Sequence, residues 1–307
     1  MSLITFRIEP LDYKSVFENI VEGTAKYLTS NNLKAQVLGI SGGIDSTVTA
    51  AICKVVHDKT NIPLIGISLP CSSNMNDEIS SAALCGNEFC NEFKEVNLQM
   101  PFETIEGFCM NASGFESTPI SQGNIKARLR MITLYDIASK RNGVVIDTDN
   151  LTENYLGFYT LHGDSCDFNP IGGLWKHEVY GLAKWMKDNV FNDSKALEAA
   201  IALMPTDGNG VKEGGDLAQI AEGKTYDDVD EILHAWVGLA PKVKDMVIED
   251  NFDYGVFKKL CEKHGKETVE KVITRSLRSE FKRKHLPLVV DIFNGNILEK
   301  NGNLFLN

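Results

Sequence analysis

The segment VLGISGGIDSTVTAAIC, residues 37–53, places Ser41, Gly42, Gly43, Asp45, Ser46 and Thr47 between two apolar runs. The first run reads as a buried strand, Ser-Gly-Gly as a tight turn, and Asp-Ser-Thr as the opening of a helix. A helix N-terminus presents unpaired N–H groups and a partial positive charge, so it holds an anion without any side chain. Gly42 and Gly43 permit backbone angles that turn successive N–H groups inward as a nest. Ser41, Ser46 and Thr47 add hydroxyl donors. The residues therefore describe a phosphate cradle, yet one without the lysine of an ordinary P-loop. Asp45 is the odd member, because a carboxylate repels a phosphate unless a cation lies between them. The economical assignment makes Asp45 a Mg²⁺ ligand, the metal bridging to phosphate oxygens.

Such a turn has to sit on a rigid frame. Tyr13, Val16, Phe17, Ile20, Tyr27 and Leu28 recur at helical spacing and predict a first amphipathic helix. Four short apolar runs follow as strands: AQVLGIS (35–41), PLIGISLP (63–70), FKEVNL (93–98) and GVVIDT (143–148). Helices are expected between them, at about 45–57, 75–91 and 121–141. Strands alternating with helices indicate βαβ units, hence an α/β fold with a parallel sheet flanked by helices. Beyond residue 150 the pattern becomes mainly helical, interrupted by loops rich in Gly, Asn, Asp and Pro at 157–173 and 205–215. Thr225 with Asp228 forms a capping-box start, and Val229, Ile232, Leu233 and Trp236 make one helical face. Val269, Val272 and Ile273 mark another helix. Without a repeat or a clean linker, residues 1–307 read as a single domain with a helical C-terminal part, and 288–307 as a tail of unassigned role.

The 307 residues suffice for a sizeable core, with 43% hydrophobic and 24% charged residues. A net charge of −11 argues against a nucleic-acid-binding surface. No stretch approaches the roughly 20 apolar residues of a membrane span, and no early apolar run resembles a signal peptide. Seven scattered cysteines without a C-x-x-C suit buried thiols in a reducing compartment, so a cytoplasmic location is expected.

The run S-G-G-x-D-S-T resembles the pyrophosphate-binding loop of the N-type ATP pyrophosphatases, or PP-loop enzymes, whose fold is of the adenine nucleotide α-hydrolase type. That resemblance implies ATP cleavage between the α and β phosphates with transfer of AMP to a substrate oxygen. It accounts for the missing lysine, since the loop holds a departing pyrophosphate and no γ-phosphoryl group moves. Within this superfamily, QGNIKARLRM (122–131), DTDNLTENYLGFYT (147–160), LMPTDG (203–208), TYDDVDEIL (225–233) and SEFKRKHLP (279–287) are similar, in order, to the motifs of NAD synthetases. Together they cover residues 36 to 287.

This resemblance implies amidation of deamido-NAD to NAD with ATP and ammonia, through an adenylate, releasing AMP and pyrophosphate. Carried over residue by residue, the ATP site takes in Gly39, Ile40, Ser41, Gly42, Gly43, Asp45, Ser46 and Thr47, together with Thr148, Lys176 and Thr206. Asp45 and Glu153 match the Mg²⁺ ligands, and Lys176 the lysine that meets the phosphates, so Asp45 and Lys176 are the expected catalytic pair. Asn124, Arg128, Asp167, Lys282 and Arg283 match the deamido-NAD side. There the chain departs from the family: Leu161 and His162 stand where a lysine and an aromatic are usual, and Phe281 where a histidine is usual. The loop GDSCDFNP is also one residue short. Ammonia is the expected direct nitrogen donor because no amidotransferase-sized segment precedes residue 36, and a homodimer is implied by resemblance. Two alternatives stay open: another carboxylate-activating PP-loop amidoligase, and a non-catalytic nucleotide sensor.

Overall fold

The computed structural model describes residues 11–203, 217, 220–253 and 255–283, with the backbone of 289–290 and 297–298. Helix α1 (Tyr13–Ser30) precedes β1 (Gln36–Gly39), α2 (Ile44–Thr60), β2 (Leu64–Ser68), α3 (Asn76–Phe89) and β3 (Glu92–Glu95). Then come α4 (Gln99–Ser113), α5 (Pro119–Arg141) and β4 (Val144–Ile146). The four strands form one parallel sheet in the order β3-β2-β1-β4, with Val37 opposite both Ile65 and Val145. The expected strands and helices of this half are all present.

Strand alternation divides the core between the two faces of the sheet. Val37, Ile65, Ile67 and Val145 point to α4 and α5, where they meet Leu98, Phe102, Leu134 and Ala138. Leu38, Leu64 and Ile146 point the other way, into a cluster built on α1 and α2. Helix α2 lies at the centre of that cluster, and Val48 through Cys53 are all buried, whichever way they point. A polar face would be wasted there, which is why its sequence turns apolar as soon as the Asp-Ser-Thr opening is passed.

The remaining helices are α6 (Leu151–Leu156), α7 (Lys176–Asn189), α8 (Lys195–Ala202), α9 (Tyr226–Val237), α10 (Pro241–Glu249), α11 (Gly255–His264), α12 (Lys266–Arg278) and α13 (Glu280–Arg283). Helices α7 and α8 complete the cluster around α2. A second core joins α6, α9, α11 and α12 through Leu151, Leu156, Val229, Leu233, Phe257, Val269 and Ile273, with Trp175 wedged into it. The capping box at Thr225 is formed: Thr225 Oγ1 accepts from the Asp228 amide at 3.3 Å. In the tail, β5 (Val289–Val290) pairs antiparallel with β6 (Ile297–Leu298). Cys53, Cys71 and Cys85 are buried as expected, whereas Cys109 is exposed on α4, where only one helical face meets the core.

The turn after β1 depends on one glycine. Gly42 has φ +83°, and a Cβ there would stand 2.4 Å from the Glu78 carbonyl oxygen and 2.6 Å from the Ala82 nitrogen. Its own carbonyl accepts from Ser81 Oγ at 2.7 Å, so α3 clamps the turn. Gly42→Ala is therefore expected to lower stability by about 1–3 kcal/mol in denaturant unfolding. Gly107→Ala, inside α4 with nothing within 4 Å of the added carbon, should instead raise it by about 0.5–1 kcal/mol.

Candidate active site

Strand β1 is followed in sequence by β2 on one side, while β4 pairs with it on the other, so the chain reverses its order at the β1–β4 boundary. Open α/β sheets place ligands at the carboxyl ends of such strands. Here those ends carry the Ser41–Gly43 turn and the Asp147–Asn150 loop. Between them lies a cavity lined by Gly39, Ile40, Ser41, Arg130, Thr148 and Asp149, among others.

In the turn, Ser41 Oγ lies 3.0 Å from Ser46 Oγ, and Ser46 Oγ donates to the Gly43 carbonyl at 3.1 Å. Gly43 is the N-cap of α2, so Ile44, Asp45 and Ser46 are its first-turn residues, whose N–H groups have no carbonyl partner within the helix. Thr47 lies differently from the expectation for its side chain. It is fully buried, with its hydroxyl toward the Cys85 thiol, and its amide donates to the Gly43 carbonyl at 3.1 Å.

The charged centre is made by three residues distant in sequence. Lys176, the first residue of α7, is buried, and its ammonium donates to Asp45 and, at 3.0 Å, to Glu153 Oε1. Burial opposes the ammonium charge, but the two carboxylates outweigh it and hold the lysine well above its ordinary range. Asn150, with no exposed surface, orders both acids. Its Nδ2 donates to Asp45 Oδ1 at 2.9 Å, its Oδ1 accepts from the Glu153 amide at 3.0 Å, and its own amide donates to Glu153 Oε2 at 3.2 Å. That reciprocal pair is the capping box of α6.

The two carboxylates that flank this positive charge are hard oxygen donors of the kind Mg²⁺ takes, and they would be the residues to hold it. Asp45 and Glu153 therefore fit the ion. Beside them, burial pushes Asp147 up to about 6, against the pull of the Asp149 and Cys166 amides. Burial, with repulsion from Asp147 and Glu153, holds Asp149 well above the usual carboxylate range.

Arg128, outside the cavity lining, is exposed on α5 and donates to the Leu161 carbonyl at 3.2 Å. Asn124 Oδ1 accepts from Thr160 Oγ1 at 2.9 Å. These two residues stand beside the 157–173 loop. Asp167 is exposed but engaged: Oδ1 accepts from Tyr135 Oη at 2.8 Å and Oδ2 from the Val145 amide at 3.2 Å. His162 is exposed at φ +56°, and Phe281 is 54% exposed. Lys282 and Arg283 are engaged with the protein itself. Lys282 Nζ donates to the Gly157 and Tyr159 carbonyls, and Arg283 Nη1 to the Tyr155 carbonyl at 2.8 Å. With Arg275 on the Leu156 carbonyl at 2.7 Å, they brace the C-terminal end of α6, where cations meet the negative end of the helix dipole. A six-residue helix has little stability alone, so this bracing holds Glu153 in place. Thr206 lies outside the described residues.

The sequence reasoning gave no part to Asn150, Thr152, Tyr226 or Asp230. Asn150 carried a usable signal, since Asn three residues before Glu is an N-cap pattern. The other three gain their contacts only through tertiary packing.

A profile of the NAD synthase family matches residues 16–286. The NH(3)-dependent NAD(+) synthetase of Fusobacterium nucleatum is 30% identical over 283 residues, covering 92% of this chain and 97% of its own length. That of Thermococcus sibiricus is 31% identical, with 92% and 99% covered. Among solved structures, the NH3-dependent NAD synthetase of Campylobacter jejuni superposes with a TM-score of 0.66 at 25% identity, covering 92% of this chain and all of that one. An NMN synthetase from Francisella tularensis shares the fold, with a TM-score of 0.71 at 24% identity and the same coverage. The switch-point cavity, the phosphate turn and the lysine–carboxylate centre thus lie within one matched span, and the chain belongs to the NAD synthase family.

Proposed function

We propose that this chain makes NAD from deamido-NAD, ATP and ammonia, releasing AMP and pyrophosphate. The observation that carries the reading is the convergence of Lys176, Asp45 and Glu153 at the N-terminus of α2. Curated relatives named NH(3)-dependent NAD(+) synthetases support the choice of nitrogen donor and product.

A carboxylate resists attack by ammonia until one oxygen becomes part of a leaving group. The nicotinate carboxylate attacks the α-phosphorus, the bond to the bridging oxygen breaks, and negative charge grows on the departing pyrophosphate. First-turn N–H groups of α2, with the Ser41 and Ser46 hydroxyls, face that charge, and preorganised donors of this kind lower such barriers most. Lys176 neutralises the phosphates from the opposite side. Asp45 and Glu153 would hold Mg²⁺, which supplies Lewis-acid charge at the phosphate oxygens. Ammonia then adds to the activated carbonyl, AMP departs, and a proton lost from nitrogen completes the amide. Asn124 and Arg128 serve the dinucleotide directly, with Asp167 beside them, while Lys282 and Arg283 serve it through α6. Leu161, His162 and Phe281 make that side less cationic than the family pattern. Thr206 is assigned to the phosphates by its place in the P-T loop motif.

A non-catalytic sensor would not require a buried lysine and two carboxylates to be held together against their desolvation cost. We further assign the chain to the cytoplasm and to a homodimer. Among the described residues, no helix is long and apolar enough to cross a membrane. Met100, Phe108, Phe115 and Ile120, all at least 70% exposed around α4 and the start of α5, offer an apolar face to a second copy.

With deamido-NAD, ammonium and Mg²⁺·ATP, the protein should form NAD, AMP and pyrophosphate in equal amounts. Lys176→Met should reduce the rate about 100-fold or more. It should also lower the melting temperature of the ligand-free protein by leaving two carboxylates face to face. Mg²⁺ alone should recover more of that loss in the variant than it adds to the wild type. ADP and phosphate as products, or a melting curve indifferent to Mg²⁺ in both proteins, would count against the assignment.

A further inference from the structure

Asp230 on α9 is a carboxylate with 1% of its surface exposed, on a helix with no part in the chemistry so far. It accepts from Thr152 Oγ1 and, at 2.9 Å, from the His177 amide, and it faces His177 Nδ1 at 2.9 Å. Thr152 Oγ1 accepts in turn from the Lys176 amide at 2.9 Å. Three N–H groups at the opening of α7 are therefore taken by side chains: Trp175 by Glu178 Oε2 at 2.9 Å, Lys176 by Thr152, and His177 by Asp230. A carboxylate there also meets the positive end of the α7 dipole.

The same network reaches both halves of the charged centre. Thr152 precedes Glu153 on α6, and Lys176 begins α7. One turn before Asp230 on α9, the Tyr226 ring lies 5.3 Å from Lys176 Nζ. Helix α9 thus touches the ammonium end of Lys176 directly and its backbone end through Thr152. Removing the Asp230 carboxylate would leave the His177 N–H without its acceptor and free the Thr152 hydroxyl to rotate away from Lys176.

We propose that Asp230 is the positioning residue of this site. It contacts no substrate; it holds Lys176 and Glu153 in register with the phosphate turn by tying α9 to the starts of α6 and α7. The proposal rests on the reading of Lys176 as the phosphate-contacting lysine, and it gives the TYDDVDEIL segment a function beyond packing.

A double-mutant cycle on Mg²⁺·ATP binding, measured by calorimetry on the full chain without acceptor, tests it. Asp230→Asn keeps the size and one acceptor oxygen but turns an NH₂ toward the His177 amide. It is expected to weaken ATP binding about 10-fold in the wild-type background and by less than about twofold in Lys176→Met. Melting temperatures should fall by similar amounts in both backgrounds. Equal weakening in both backgrounds would make Asp230 a general structural residue and overturn the proposal, as would unchanged affinity in the wild type. Should Asp230→Asn fail to fold, Thr152→Val, which removes only the hydroxyl relay, goes through the same cycle with the same expected non-additivity. Failure of the functional reading shows elsewhere, as absence of AMP from wild type supplied with deamido-NAD and ammonia, because the binding cycle needs neither.

Discussion

A buried ammonium between two carboxylates is the constraint around which this molecule is arranged. Lys176, Asp45 and Glu153 come from three helices, and none of the three charges is tolerable alone at that depth. Each helix is therefore fixed by something stronger than its own propensity. Helix α2 is buried on every face from Val48 to Cys53, α6 is capped at one end by Asn150 and braced at the other by Arg275, Lys282 and Arg283, and α7 has the amides of Lys176 and His177 taken by side chains. The parallel sheet supplies the remaining condition by bringing the ends of β1 and β4 side by side.

On the proposed reading, this arrangement lets a phosphate site work without a lysine in its own loop. The Gly42 turn and the first turn of α2 provide N–H donors and a partial positive charge, while the full charge arrives on α7 from more than a hundred residues away. Separating the two allows the lysine to be held by acids that also suit Mg²⁺. The helical C-terminal part, which among the described residues contributes no strand to the four-stranded sheet, braces α6 and α7 from outside. Its basic SEFKRKH segment reads as ligand-binding charge in the sequence, yet Lys282 and Arg283 spend their donors on the carbonyls at the end of α6.

Much of the fold was legible because its signals are local. Four apolar runs between amphipathic helices imply a parallel sheet, and Gly42 in a strand–turn–helix context implies a nest. Asp45, Glu153 and Lys176 were recoverable through ordered motifs, and the structure brings them together. What stayed hidden depends on direction and on distant partners. Thr47 follows Ser46 in a run of hydroxyls, but one step along a helix turns it by about 100°, from the cleft toward Cys85. Asp230 stands among Asp227, Asp228 and Glu231, and only packing against α6 and α7 separates a buried anchor from neighbouring helix-cap and surface acids. Cys109 looks like the other cysteines in composition and is exposed because α4 buries little more than Phe102.

In the proposed reaction this site activates a carboxylate by AMP transfer, with the α2 turn holding pyrophosphate as it leaves. Deamido-NAD carrying ¹⁸O in its nicotinate carboxylate tests that bond assignment directly, by mass spectrometry of the products after one turnover with ATP and ammonia. The account predicts one ¹⁸O atom in AMP and none in pyrophosphate. Label in inorganic phosphate, with ADP as the other product, would contradict it.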